Sequence, residues 1–142
     1  MKKVISSLRH SKTIYRITTD NTEITDIVFD PSDRHIQPTI EWAPYEAALV
    51  EDSGGAIIGS VSPALVLGHE LLHAYHYDLN HDFYFDMVLA DLIGTSDADY
   101  DSKEERRTIS TERALAKFFH QTQRYDHRGQ GSTVSGPLQR PK

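Results

Sequence analysis

His69 and His73 stand four residues apart, with Glu70 directly after the first, in the stretch SPALVLGHELLHAYHYDLN over residues 62–80. On an α-helix, side chains at i and i+4 share one face about 6 Å apart along the axis, so the two imidazoles can converge on one cation. Glu70 projects about 100° away, near enough to reach a water held by that cation without being a ligand. This is the physical content of H-E-x-x-H: two ligands for a divalent metal such as zinc, and a carboxylate placed as general base. The competing reading, a half-buried helix whose histidines only hydrogen-bond, fits less well with a helix that is otherwise apolar and begins on a capping residue.

Two histidines leave a catalytic zinc short of a third protein ligand, with water normally in the fourth position. The chain has no cysteine, so that ligand must be His, Asp or Glu. An extended H-E-x-x-H-x-x-G-x-x-H pattern fails, because His76 occupies the glycine position and Leu79 the last histidine. His76 follows His73 too closely to join the same cation without strain, and His81 lies beyond the expected helix end. In SKEERRTISTERALAKFF, residues 102–119, Glu105, Ile109, Glu112 and Ala116 fall close to one helical face. Glu105 is the candidate there, with Glu104 the alternative. Ser102 followed by Glu105 is also a capping box, which would fold that carboxylate back onto its own helix. Asp97, Asp99 and Asp101 read as solvated loop charges.

The elements that must position these groups follow from local signals. Ser62 is a good N-cap and Pro63 a good first helical residue, so a helix is expected over about 63–77. A second is expected over about 103–121, with Ile109, Ala116 and Phe119 close to one stripe. The β-branched and aromatic alternation of residues 13–29 around Asp20-Asn21 suggests a hairpin. PTIEW reads as a strand with Ile40 and Trp42 on one face, and GGAIIGSV as a short one. FYFDMVLADLIG, residues 83–94, is apolar enough to pack beneath the site, though its period is ambiguous. The expected class is α+β, with a small mixed sheet and the two helices in one domain over 1–128. Residues 129–142, rich in Gly, Ser and Pro, are expected to form a flexible tail.

At 142 residues the chain suits one core. A net charge of −6 argues against nucleic acid as a partner, and no apolar run is long enough to span a bilayer. MKKVISSLRHSK lacks the apolar region of a classical signal peptide.

HELLHAYH followed about thirty residues later by EERRTI resembles the light chains of the clostridial neurotoxins, with their H-E-L-I-H-x-x-H and E-E-x-R-T-[FI] patterns. It is more similar still to the small bacterial effector metalloproteases typified by NleD, in which a TIEW-like strand precedes a PALxLGHELxHA helix and an EE..TI..E helix. The resemblance covers residues 39–128 and is specific at the two helices. It implies a zincin-like fold, zinc ligation by His69, His73 and Glu105, and Glu70 as general base; it also favours Glu105 over Glu104. Glu112, on the stripe of Glu105, could orient a ligand histidine from behind. The family places an Arg and a Tyr or similar group near the end of the domain to steady the oxyanion. QRYDHRG offers Arg124 with Tyr125 or His127, at a spacing that departs from the neurotoxin pattern.

The expected function is therefore a zinc endopeptidase, a bacterial effector or toxin that is secreted or translocated and cuts a protein of a target cell, acting as a monomer with one Zn2+ per chain. The TIEW or AIIG segment, as a sheet edge, would hold an extended peptide. The alternative is a zincin-like metal-binding interaction domain without turnover. A nuclease or deaminase is disfavoured by the acidic balance and the missing cysteines.

Overall fold

The computed structural model describes residues 1–19, 25–28, 37–89, 102–125 and 130–141. The fold is mixed α+β, in the order α1 (Lys2–His10), β1 (Arg16–Thr19), β2 (Asp26–Val28), β3 (Thr39–Trp42), β4 (Glu46–Glu51), β5 (Ile57–Val61), α2 (Pro63–Leu79), α3 (His81–Leu89), α4 (Lys103–Phe118) and β6 (Gly131–Thr133).

The helix carrying His69 and His73 begins with Pro63 in its first turn, after an extended Ser62. The Ser62 hydroxyl does not cap the helix; it accepts from Gln121 Nε2 at 2.9 Å, while the Ser62 N–H donates to Gln121 Oε1 at 2.7 Å. α4 is capped by Ser102 Oγ, which accepts from the Glu105 N–H at 3.0 Å. It stops short of residue 121 because His120 takes a left-handed conformation, φ 53°. The His120 N–H then reaches Lys117 O and the Gln121 N–H reaches Ala116 O, the paired bonds of a Schellman stop.

The expected hairpin over residues 13–29 does not form. β1 and β2 both pair with β3, β1 in parallel and β2 antiparallel, so β3 lies between them. The Asp20-Asn21 turn itself lies outside the described residues, as do residues 90–94 and Asp97, Asp99 and Asp101. A second antiparallel sheet has the order β5-β4-β6. Its β6 comes from the segment expected to be loose: Gly131–Thr133 pairs with β4, and the Ala64 N–H donates to Pro137 O at 2.8 Å. α1 and β4 were not foreseen from the sequence.

α2 lies between two apolar clusters. Ile27, Ile40 and Ala74, with Leu8, Tyr15, Leu67 and Leu71, join the first sheet and α1 to α2. Val50, Val61, Leu65 and Ala116, with Ala48, Val66 and Leu115, join the second sheet to the start of α2 and the end of α4. Glu105, Ile109, Glu112 and Ala116 are all buried as one α4 stripe, whereas Phe119, past the helix end, is 52% exposed and does not belong to it. Among the described residues no helix is long and apolar enough to cross a membrane.

Candidate metal centre

Packing of α2 against α4 brings three buried side chains to one point. His73 Nε2 lies 3.0 Å from His69 Nε2 and 3.0 Å from Glu105 Oε2, and His69 Nε2 lies 2.9 Å from Glu105 Oε1. His69, His73 and Glu105 form a group that could hold a metal ion. The donor set fits: tetrahedral zinc with bonds of 2.0–2.1 Å holds its ligand atoms about 3.3 Å apart. Two imidazole nitrogens facing each other beside a carboxylate make an arrangement that a cation at the common centre satisfies. The capping box does not compete, because Ser102 uses only the backbone N–H of Glu105 and the carboxylate reaches the histidines.

With Nε2 turned to the centre, each of these two histidines presents Nδ1 to a second carboxylate. His69 Nδ1 donates to Glu112 Oε2 at 2.7 Å. Glu112 in turn accepts from Arg124, Nε to Oε1 at 3.1 Å and Nη2 to Oε2 at 2.5 Å, and Nη2 also lies 3.0 Å from His69 Nδ1. Behind His73 stands Glu104, more loosely, with Oε1 3.4 Å from Nδ1 and Thr108 Oγ1 3.3 Å from the same nitrogen. Glu104 Oε1 accepts more closely from His76 Nδ1 at 2.6 Å and from Thr108 Oγ1 at 3.1 Å. Glu104 is thus a supporting acid rather than the alternative ligand. Such outer partners fix the ring orientation and tautomer of a metal-bound histidine.

The electrostatics follow from these contacts. Burial opposes the charge on Glu112, but Arg124 and His69 pull its pKa down to about 2. Glu104 is likewise brought to about 2, its burial outweighed by bonds from His73 and His76. Glu105 is driven well below the ordinary carboxylate range, despite burial, by His69 and His73. Burial pushes His73 down, yet Glu104 and Glu105 hold it up to about 10; His69 is raised against burial by Glu105 and Glu112. Without a metal, His73 keeps its proton at neutral pH, and a metal binding there must expel it. Glu70, buried beside these groups, is raised chiefly by desolvation.

Arg124 reaches Glu112 because the chain after α4 is laid along β5. The Ser60 N–H donates to Thr122 Oγ1 at 3.1 Å, and a Cβ on Gly59 would come within 2.0 Å of that oxygen, so a glycine is required for the approach. Arg113 Nε donates to Arg124 O at 3.0 Å. The Arg124 guanidinium is buried and held by both oxygens of Glu112, behind His69, the arrangement of a positioning group. Tyr125 is exposed, its ring 4.3 Å from Arg113 Cζ, and the structure does not bring it into the buried cluster. His127 lies outside the described residues.

Thr108 and Tyr84 were missed in the sequence, and His76 was weighed there only as a ligand. His76 and Thr108 carry a spacing signal, His76 three residues after His73 and Thr108 four after Glu104, which places each on its neighbour's face. Tyr84 of α3 is buried with its ring edge-on to His73, centroids 6.4 Å apart. Its phenol is raised by burial and by Glu104, Glu70 and Glu105. Only the apolar character of its segment pointed to it.

The expected peptide edge is corrected in part. TIEW is the central strand of its sheet, with a neighbour on each side, so it offers no edge. Among the described residues β5 is an edge, but the N–H groups of Ser60 and Ser62 are taken by Thr122 and Gln121, and its exposed part is Ile57 and Ile58.

Comparison with protein-family models, with curated proteins and with solved structures finds no match to this chain. What the cluster can do is decided by its own geometry.

Proposed function

We propose that this chain is a zinc-dependent endopeptidase of zincin-like design, acting on a protein of a target cell after transfer from a bacterium. The observation that carries the enzymatic reading is the convergence of His69 Nε2, His73 Nε2 and a Glu105 carboxylate within 3.0 Å, with each imidazole backed by a further carboxylate and Glu70 on the same helix. The HELLHAYH and EERRTI segments support the effector part of the reading.

Zinc bound at this centre would supply a Lewis acid for a peptide carbonyl and a water of lowered pKa. Glu70 takes the proton from the attacking water and returns it to the leaving amine, a task that suits a carboxylate whose proton affinity is raised by burial. Glu105 contributes one negative charge to the centre. Glu112 and Arg124 hold His69, and Glu104 with Thr108 holds His73. Of the two expected strands, β5 is an outer one, and its exposed Ile57–Ile58 part would take an extended peptide.

The test is Glu70→Gln. It is expected to keep zinc and fold while cleavage of a peptide library is lost; cleavage at the wild-type rate would remove the mechanism. A second reading, a metal held for stability without turnover, draws on the closure of the cluster: His69, His73 and Glu105 are at most 7% exposed, and structural zinc sites are closed. Unfolding on chelation, with no peptide cut by the wild type, would favour it.

A further inference from the structure

The chain is acidic overall, at −6, yet residues 1–19 hold Lys2, Lys3, Arg9, Lys12 and Arg16 and no acid. Lys2, Ile5 and Arg9 are spaced three and four apart on α1 and share one face. All three are exposed. Ile5 and Met1 line an apolar cavity of about 180 Å³, together with Leu67 and Leu71 of α2 and with Phe119 and Leu138. These α2 residues lie on the side of the helix opposite His69 and His73.

The cavity rim leaves large apolar groups in water: Leu138 is 81% exposed and Phe119 52%. Cations flank them. Arg140 follows Leu138 by two residues and donates to His120 O at 3.2 Å, and Lys117 is exposed in the last turn of α4. The segments lining the cavity, over 1–5, 62–71, 119–121 and 138, contain one acid, Glu70, which is buried and does not itself line the cavity.

An apolar recess of this volume accepts hydrocarbon, and a short basic helix with an exposed apolar residue between cations is the pattern of an interfacial anchor. Hydrocarbon inside and positive charge around it complement an acyl chain below an anionic headgroup.

We propose that this face docks on an anionic phospholipid surface, Ile5, Phe119 and Leu138 entering the headgroup layer while Lys2, Arg9 and Arg140 meet the lipid charge. The proposal stands apart from the peptidase reading, since none of these residues belongs to the metal centre.

The experiment is sedimentation of the full chain with phosphatidylcholine vesicles containing phosphatidylserine, against pure phosphatidylcholine vesicles. Binding is expected only with phosphatidylserine and is expected to weaken as salt is raised. Lys2→Gln with Arg9→Gln should reduce the partition coefficient about 25-fold, at about fivefold per cation near such a surface. Leu138→Ser should reduce it while leaving the salt dependence unchanged. Both changes are at exposed positions, and unchanged thermal unfolding separates lost binding from lost fold. Absence of sedimentation with phosphatidylserine, or wild-type binding by either variant, would overturn the proposal. Capture by an acidic polyglutamate peptide without vesicle binding would also overturn it and assign the face to a protein.

Discussion

Along α2, the face with His69, His73 and His76 is packed with charge, whereas the opposite face, with Ala64, Leu67 and Leu71, borders an apolar cavity open to solvent. On the first face each charged group answers another: Glu105 between two imidazoles, Glu112 between His69 and Arg124, Glu104 between His73 and His76. Removing one member leaves its partner buried and uncompensated. On the second face the exposed side chains have no such dependence, so changes there should move surface binding and not the fold. One helix can serve both because its 3.6-residue period separates positions 69, 73 and 76 from 64, 67 and 71.

The largest effects are expected at the ligands. Glu105→Ala should lower zinc affinity by more than the roughly 100-fold that loss of an outer partner costs, measured by competition with a chelator. Next comes Glu112→Gln. It leaves the buried Arg124 guanidinium without its counter-charge, so a loss of about 3–5 kcal/mol in denaturant unfolding is expected, along with weaker metal binding. Glu104→Gln should cost less metal affinity than Glu112→Gln, because Glu104 stands 3.4 Å from His73 Nδ1 where Glu112 stands 2.7 Å from His69 Nδ1. Equal losses would show that the two supports are equivalent. Gly59→Ala, which drives a methyl into Thr122, should cost about 1–3 kcal/mol by overpacking. Leu138→Ser should change neither stability nor zinc content.

pH sharpens the contrast through the charged face. Glu104 and Glu112 have folded values near 2 against an ordinary 4.5, so the stability they add is present above about 4.5 and is lost as pH falls through 2. His73 runs the other way: with a folded value near 10 against 6.5, its contribution to the metal-free protein is full below 6.5 and is lost as pH rises through 10. The metal-free protein should melt highest between these limits, near pH 4.5–6.5. Zinc affinity should rise with pH over the range where His73 gives up its proton, and binding should release protons detectable by calorimetry in buffers of different ionisation enthalpy.

The centre was legible in the sequence because a helix fixes relative direction from spacing alone. His69, Glu70 and His73 follow from i and i+4, and the Glu105, Ile109, Glu112 stripe from the same period. Choosing between Glu104 and Glu105 from spacing required the crossing of α2 and α4, which is a tertiary property. The strands were less legible because pairing is not local. The turn signal at Asp20-Asn21 suggested β1 against β2, but β3 enters between them. β4, EAALVE, has the composition of a helix, and its strand form is imposed by pairing with β5 and β6. The tail contains little to bury, and its order comes from hydrogen bonds to β4 and Ala64 that its own residues do not announce.

The central claim, that Glu105 closes the metal centre while Glu104 only supports His73, is tested most directly by zinc content after dialysis of the wild type beside Glu105→Ala and Glu104→Ala. About one zinc per chain is expected in the wild type and in Glu104→Ala, and none in Glu105→Ala. Zinc retained in Glu105→Ala, or lost in Glu104→Ala alone, would contradict it.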